Sequence, residues 1–113
     1  MMKKQWFVPV FMLAFSSAIL AAPLPGSEEV RALGDINGVA LACRQEAILE
    51  RIRTELDVVL SAKRDIGYDE IFKAAIEESF LRHQNSRAPC PEAESATPKI
   101  DTLFKRLRAT LVP

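Results

Sequence analysis

The residues best suited to chemistry are two cysteines, Cys43 and Cys90, and a single histidine, His83. A redox pair normally holds both thiols within one turn, as Cys-x-x-Cys, and these cysteines are far apart. A tetrahedral zinc site would need a fourth ligand that the sequence does not offer, so we predict no metal and no cofactor. A Cys/His nucleophile would require a free thiol, which an oxidising compartment disfavours.

An even number of cysteines in a short exported chain is typical of a disulfide. The sequence therefore predicts a Cys43–Cys90 bridge, which would stabilise the fold by roughly 4 kcal/mol. His83 is expected at the end of a helix, where the helix dipole favours a cation.

Three pairs of neighbouring acids were considered as catalytic carboxylates: Glu28/Glu29, Asp69/Glu70 and Glu77/Glu78. Hydrolysis of a glycosidic bond needs two carboxyl groups that face each other across a cleft. Neighbours on a helix point about 100° apart, so these pairs are expected on solvated faces. We therefore predict no catalytic residues and no enzymatic activity.

The first 22 residues have the pattern of a secretory signal peptide, 1–22. Lys3 and Lys4 precede an uncharged, mostly apolar stretch that ends in the small residues Ala21 and Ala22, and cleavage is expected after one of these two. An uncleaved anchor is the alternative, but the stretch is short for a spanning helix. The pattern predicts export to the periplasm or the extracellular medium, with 23–113 as a single domain.

The charge balance excludes several partners. The chain has 15 Lys+Arg and 15 Asp+Glu, so its net charge is zero, and loss of the leader with its lysines makes it slightly acidic. A nucleic-acid-binding domain would show a basic excess. We therefore expect no nucleic-acid partner, and contact with a membrane only through the signal peptide.

Apolar residues recur at helical spacing through most of the mature chain, and strand alternation is absent. The predicted helices are 28–61, 68–84 and 98–111. The first carries two apolar stripes that do not coincide, so it either contacts neighbours on two sides or breaks near 34–38. Thr97-Pro98 is a typical helix start. The expected fold is all-α, a small bundle of three to four antiparallel helices closed by one disulfide.

Two groups of side chains could contact other molecules. The aromatic residues fall on apolar helix faces and are expected in the core: Tyr68, Phe72, Phe80 and Phe104. Four cations near the C-terminus, offset only by Asp101, form a candidate docking surface: Lys99, Lys105, Arg106 and Arg108. The alternative explanation for these cations is the ordinary preference of a helix C-terminus for positive charge.

These features predict a small exported helical protein that acts by binding another protein of unknown identity. An accessory factor of an envelope or secretion apparatus, an inhibitor and an immunity-type protein all fit this description. The first alternative is a periplasmic stress chaperone that exposes apolar faces in acid, and the second is a small secreted enzyme. A homodimer remains an alternative to a monomer.

Overall fold

The computed structural model describes residues 24–61, 63 and 65–112, and the predicted signal peptide lies outside them. The described residues form four helices: α1 Ser27–Ala42, α2 Glu46–Leu60, α3 Ile66–Ser86 and α4 Ala93–Leu111. A disulfide joins Cys43 to Cys90. The predicted all-α bundle with one disulfide is therefore confirmed. Among the described residues, no helix combines the length and the apolar character needed to cross a membrane.

The predicted segment 28–61 breaks at residues 43–45; the alternative of a break near 34–38 is wrong, because α1 is continuous there and contacts neighbours on more than one side. Arg44 adopts a left-handed conformation with φ of 58°. The backbone N–H of Gln45 donates to the carbonyl of Ala40 at 2.8 Å, and that of Arg44 donates to the carbonyl of Leu41 at 3.3 Å. This pair of bonds is a Schellman motif, which satisfies the last carbonyls of α1. Its usual signal, a glycine after the helix, is replaced here by arginine.

Gly34 and Gly38 lie inside α1, where the absence of a side chain lets α3 approach closely. A Cβ atom on Gly34 would lie 2.6 Å from the Cβ of Ala75, and one on Gly38 would lie 2.6 Å from the carbonyl oxygen of Ile76. The buried hydroxyl of Ser79 donates to the carbonyl of Asp35 at 2.6 Å, across the same contact. The α1/α3 interface is thus formed by small residues spaced four apart on each helix: Gly34 and Gly38 on α1, and Ala75 and Ser79 on α3.

The pairs α1/α3 and α2/α4 run parallel, as alternate helices of an antiparallel series do, whereas α1 and α4 run antiparallel, with Gly26 near Leu107 and Ile36 near Lys99. Along α1 and α3 the close contacts advance together, from Gly34 with Ala75 to Gly38 with the Cβ of Ser79. One intervening helix reverses the chain between the members of each pair. Helix α1 packs against all three other helices, whereas α3 packs mainly on α1.

The hydrophobic core lies mainly among α1, α2 and α4. Its largest fully buried side chains are Phe104, Leu33, Ile52, Ile100, Leu107 and Val30. Tyr68 joins this core from the first turn of α3, and its hydroxyl donates to the carbonyl of Pro25 at 2.7 Å. The apolar stripe on α2 that appeared rotated relative to α1 therefore faces the same core, because the chain turns between the two helices.

Helices α3 and α4 both begin earlier than predicted, whereas α4 ends at Leu111 as predicted. Helix α3 begins earlier, at Ile66, because the carboxylate of Asp65 accepts a hydrogen bond from the N–H of Gly67 at 2.8 Å. Helix α4 also begins earlier, and Pro98 lies within it instead of starting it. The preceding loop is held by the disulfide and by the Gln45 side chain, which donates to the carbonyl of Pro91 at 2.8 Å.

Candidate functional site

The first candidate site is the cluster of Cys43, His83 and Cys90, where three elements meet. Cys43 caps the end of α1, His83 lies in the last turn of α3, and Cys90 lies in the loop before α4. The Nε2 atom of His83 lies 3.5 Å from Sγ of Cys43 and 3.9 Å from Sγ of Cys90. The sequence spacing shows no known motif, so only the parallel packing of α1 and α3 brings the imidazole to the disulfide.

In the disulfide form, neither sulfur of this cluster is a free nucleophile, since the structure has no free cysteine among its described residues. Cys43 and His83 are half-buried, whereas Cys90 is exposed. The three ligand atoms lie within 4.8 Å of one another. A reagent from solvent can therefore reach the Cys90 sulfur more easily than the Cys43 sulfur.

The second candidate site is a groove between α1 and α4, which we call the α1/α4 groove. The groove has two open parts, with volumes of about 570 Å³ and about 260 Å³. Both parts are lined by Asp35, Ile36 and Lys99. Leu103 contributes to the apolar floor, and its side chain is half-buried like that of Ile36. The groove is thus continuous, apolar at its base and charged at its rim.

The structure separates the four cations of the predicted docking surface. Lys99 and Arg106 lie along the α1/α4 groove. Arg108 instead turns toward α2, where it binds Glu55 at 3.2 Å and lies 5.7 Å from the centre of the Phe104 ring. Lys105 is exposed and does not line this groove. Of these four cations, only Lys99 and Arg106 therefore line the same groove.

The four aromatic residues also divide into two groups. Tyr68 and Phe104 are buried, as we expected. Phe72 and Phe80 are only half-buried, because α3 packs mainly on α1 and leaves its flanks open. Phe80 and Ile76 line a shallow groove of about 420 Å³ together with Leu41, which is 46% exposed.

Charged side chains join α2 to α4. The guanidinium of Arg51 binds Asp101 and also Glu55, the latter at 2.9 Å. Hydrogen bonds to Asp101 and then to Glu55 raise the pKa of Arg51. Burial, assisted by the negative charge of Asp65, raises the pKa of Tyr68. These shifts accompany contacts that hold the fold together and do not mark a reactive centre.

Comparisons with known protein families, with curated proteins and with solved structures give no match for this chain. The two sites described above are therefore the basis for any statement about function.

Proposed function

We propose that this chain is a small exported helical protein that acts by binding another protein. Roles as an envelope or secretion accessory factor, as an inhibitor or as an immunity-type protein all belong to this class. The signal-peptide pattern of 1–22 and the disulfide support export, because disulfides persist in oxidising compartments. The observation that carries the binding proposal is the α1/α4 groove.

The α1/α4 groove suits an amphipathic segment of a partner. Half-buried apolar side chains at its base, such as Ile36 and Leu103, would receive the apolar face of a helix. Lys99 and Arg106 on the rim favour acidic residues on the flanks of that helix. We therefore expect a partner that presents a helix with an apolar face and flanking Asp or Glu residues.

Photo-crosslinking in the native cell envelope tests this proposal. A photoreactive residue would replace Thr102, which is exposed and lines the groove, or Gln84, which is exposed on α3 away from the groove and serves as the control position. We expect one discrete adduct from position 102, identified by mass spectrometry, and none from position 84. Equal adducts from both positions, or none from position 102, would contradict the proposal.

Charge reversal supplies a second test of the same surface. Lys99→Glu with Arg106→Glu should abolish the adduct because it places anions opposite the acidic flanks of the partner. Lys105→Glu with Lys63→Glu reverses the same number of charges at exposed positions outside the groove, and it should leave the adduct unchanged. If this control variant has the same effect as Lys99→Glu with Arg106→Glu, general charge and not the groove determines binding.

A periplasmic stress chaperone is the second candidate function. It is supported by the large apolar side chains that are exposed on and beside α3, among them Ile66 at 72% and Leu81 at 52%. A chaperone should suppress aggregation of an unfolded client protein in acid, with increased binding of an apolar dye. It should do so equally well after Lys99→Glu and Arg106→Glu, and this independence distinguishes it from the groove proposal.

A further inference from the structure

The cluster of Cys43, His83 and Cys90 contains three donors that metals prefer. Two cysteine sulfurs and one imidazole nitrogen lie within 4.8 Å of one another. Typical bonds from a metal to sulfur and nitrogen are about 2.3 Å and 2.0 Å, so one ion placed among these atoms can reach all three after modest movement of the sulfurs. We propose that the reduced form of this protein binds one Cu(I) ion through Cys43, His83 and Cys90.

The surroundings of the cluster support this proposal because contacts other than the disulfide also position each of the three donors. The Schellman motif at the end of α1 fixes the backbone at Cys43. The α1/α3 interface places His83, since Gly38 and Ser79 are in close contact about one helical turn away from the cluster. Hydrogen bonding of the Gln45 side chain to the Pro91 carbonyl, at 2.8 Å, keeps the loop that carries Cys90 in place.

The number and softness of the donors favour Cu(I). Thiolates are soft ligands that select Cu(I) and Zn²⁺ over harder ions. A structural Zn²⁺ site is almost always four-coordinate, and the cluster found among the described residues has only three members. A soft monovalent ion is satisfied by fewer ligands, and exposure of Cys90 gives it a route from solvent.

Binding requires that the disulfide first be reduced, and a dithiol reductant supplies both electrons and both protons. One thiolate of the reductant attacks Sγ of Cys90, the S–S bond breaks, and Cys43 leaves as a thiolate that takes up a proton. The second thiol of the reductant then displaces Cys90 and leaves the reductant as a cyclic disulfide. Cu(I) replaces the two thiol protons, which pass to solvent.

The metal would close the same loop as the disulfide. The bridge joins residues that are 47 positions apart, and a Cu(I) ion held by Cys43 and Cys90 would join the same two positions. The loop before α4 would thus remain attached to the end of α1 under reducing conditions. The reduced protein with Cu(I) should therefore melt at a higher temperature than the reduced protein alone.

Anaerobic titration tests the proposal. The protein is reduced, freed of the dithiol and titrated with Cu(I) in competition with a chromogenic Cu(I) chelator. We expect one ion per chain, and protection of both thiols from alkylation. The oxidised protein should bind at least tenfold more weakly. Absence of binding to the reduced protein, or equal binding to the oxidised protein, overturns the proposal.

Two variants test the role of the imidazole. His83→Gln should weaken Cu(I) binding at least tenfold, since loss of even an outer-shell partner costs about 10–100-fold in affinity. His83→Gln combined with Gln84→His keeps the composition but moves the imidazole to an exposed neighbouring position, and it should bind as weakly as His83→Gln. If either variant binds as tightly as the wild type, His83 is not a ligand. Circular dichroism of the oxidised variants verifies that each is folded.

Discussion

Replacing Gly38 by alanine should destabilise the protein, although alanine is the better helix former. The added Cβ atom would lie 2.6 Å from the carbonyl oxygen of Ile76, 2.7 Å from the Cβ of Ser79 and 2.9 Å from the backbone nitrogen of Phe80. Two of these three atoms belong to the backbone and cannot rotate away. Helix α3 would have to retreat by about 1 Å, and a gap of that size forfeits much of the dispersion energy along the interface.

The magnitude follows from two opposing effects. Alanine in a helix interior stabilises by about 1 kcal/mol relative to glycine. Overpacking of a close contact costs about 1–3 kcal/mol, and contact with backbone atoms places Gly38→Ala toward the upper end of that range. We therefore expect the free energy of unfolding to fall by about 1–2 kcal/mol, which lowers the melting temperature by about 5–15 °C.

Gly67→Ala is the matched control because it makes the same substitution in another helix. Its Cβ atom would lie 2.6 Å from Cδ1 of Leu24, which is the flexible end of a side chain and can move aside. This variant should be as stable as the wild type or slightly more stable. Urea unfolding followed by circular dichroism, with the disulfide intact, measures both variants.

The reasoning about the α1/α3 interface is refuted if Gly38→Ala is as stable as Gly67→Ala. A double-mutant cycle locates the contact: Gly34→Ala should be destabilised, and the Gly34→Ala/Ala75→Gly double variant should be more stable than the sum of the two single changes predicts. Ala75→Gly removes the methyl group that lies 2.6 Å from the new Cβ, while the carbonyl of Phe72 at 2.9 Å remains. The single variant Ala75→Gly supplies the intrinsic cost of glycine in a helix, and purely additive effects would argue against this pairing of helices.

Three further predictions concern stability. Reduction of the disulfide should lower the free energy of unfolding by about 4 kcal/mol for a loop of 47 residues, and a loss below about 1 kcal/mol in urea unfolding would contradict this estimate. Arg44→Gly should raise the free energy of unfolding by about 0.5–1 kcal/mol, and with it the melting temperature, because glycine adopts the left-handed φ of 58° without strain. Arg44→Val should lower both quantities, because a β-branched residue is strained in that conformation. Tyr68→Phe should cost about 1 kcal/mol at neutral pH through loss of the bond to Pro25. Burial raises the pKa of Tyr68, so the neutral phenol is favoured in the folded state. The contribution of Tyr68 to stability is therefore complete below the pKa of the unfolded phenol, about 10, and is lost as the pH rises through the pKa of the folded state. Since the chain has one tyrosine, phenolate absorbance follows this titration directly, and an unshifted midpoint would disprove it.

The sequence predicts the helices better than their ends. The apolar periodicity of α2, which includes Ile48, Ile52 and Leu56, involves many residues, so it still predicts a helix when one position deviates from the pattern. Helix ends depend on single residues, and here arginine takes the left-handed position at 44 that glycine normally occupies. Gly34 and Gly38 are compatible with a helix break or with a close helix contact, and only the partner helix decides between these two alternatives.

The candidate sites could be predicted only in part. Pairing of Cys43 with Cys90 follows from the count of cysteines, since two cysteines allow one intramolecular bridge. The approach of His83 to that bridge depends on α3 packing directly on α1 through Gly34 and Gly38, which no local pattern in the sequence indicates. By contrast, the separation of Arg108 from Lys99 and Arg106 could have been predicted, because positions 99 and 106 are about two helical turns apart on one face of α4, whereas Arg108 lies on another face, where it binds Glu55.

The parallel packing of α1 and α3 has a consequence for how the chain reaches its folded state. These helices are separated along the chain by all of α2, so their contact must close a long loop before it yields any stabilisation. The Cys43–Cys90 bridge joins the end of α1 to the loop that follows α3 and so shortens that search. Oxidation before docking should therefore accelerate folding, and a chain whose two thiols are still reduced should spend longer with the glycine face of α1 uncovered.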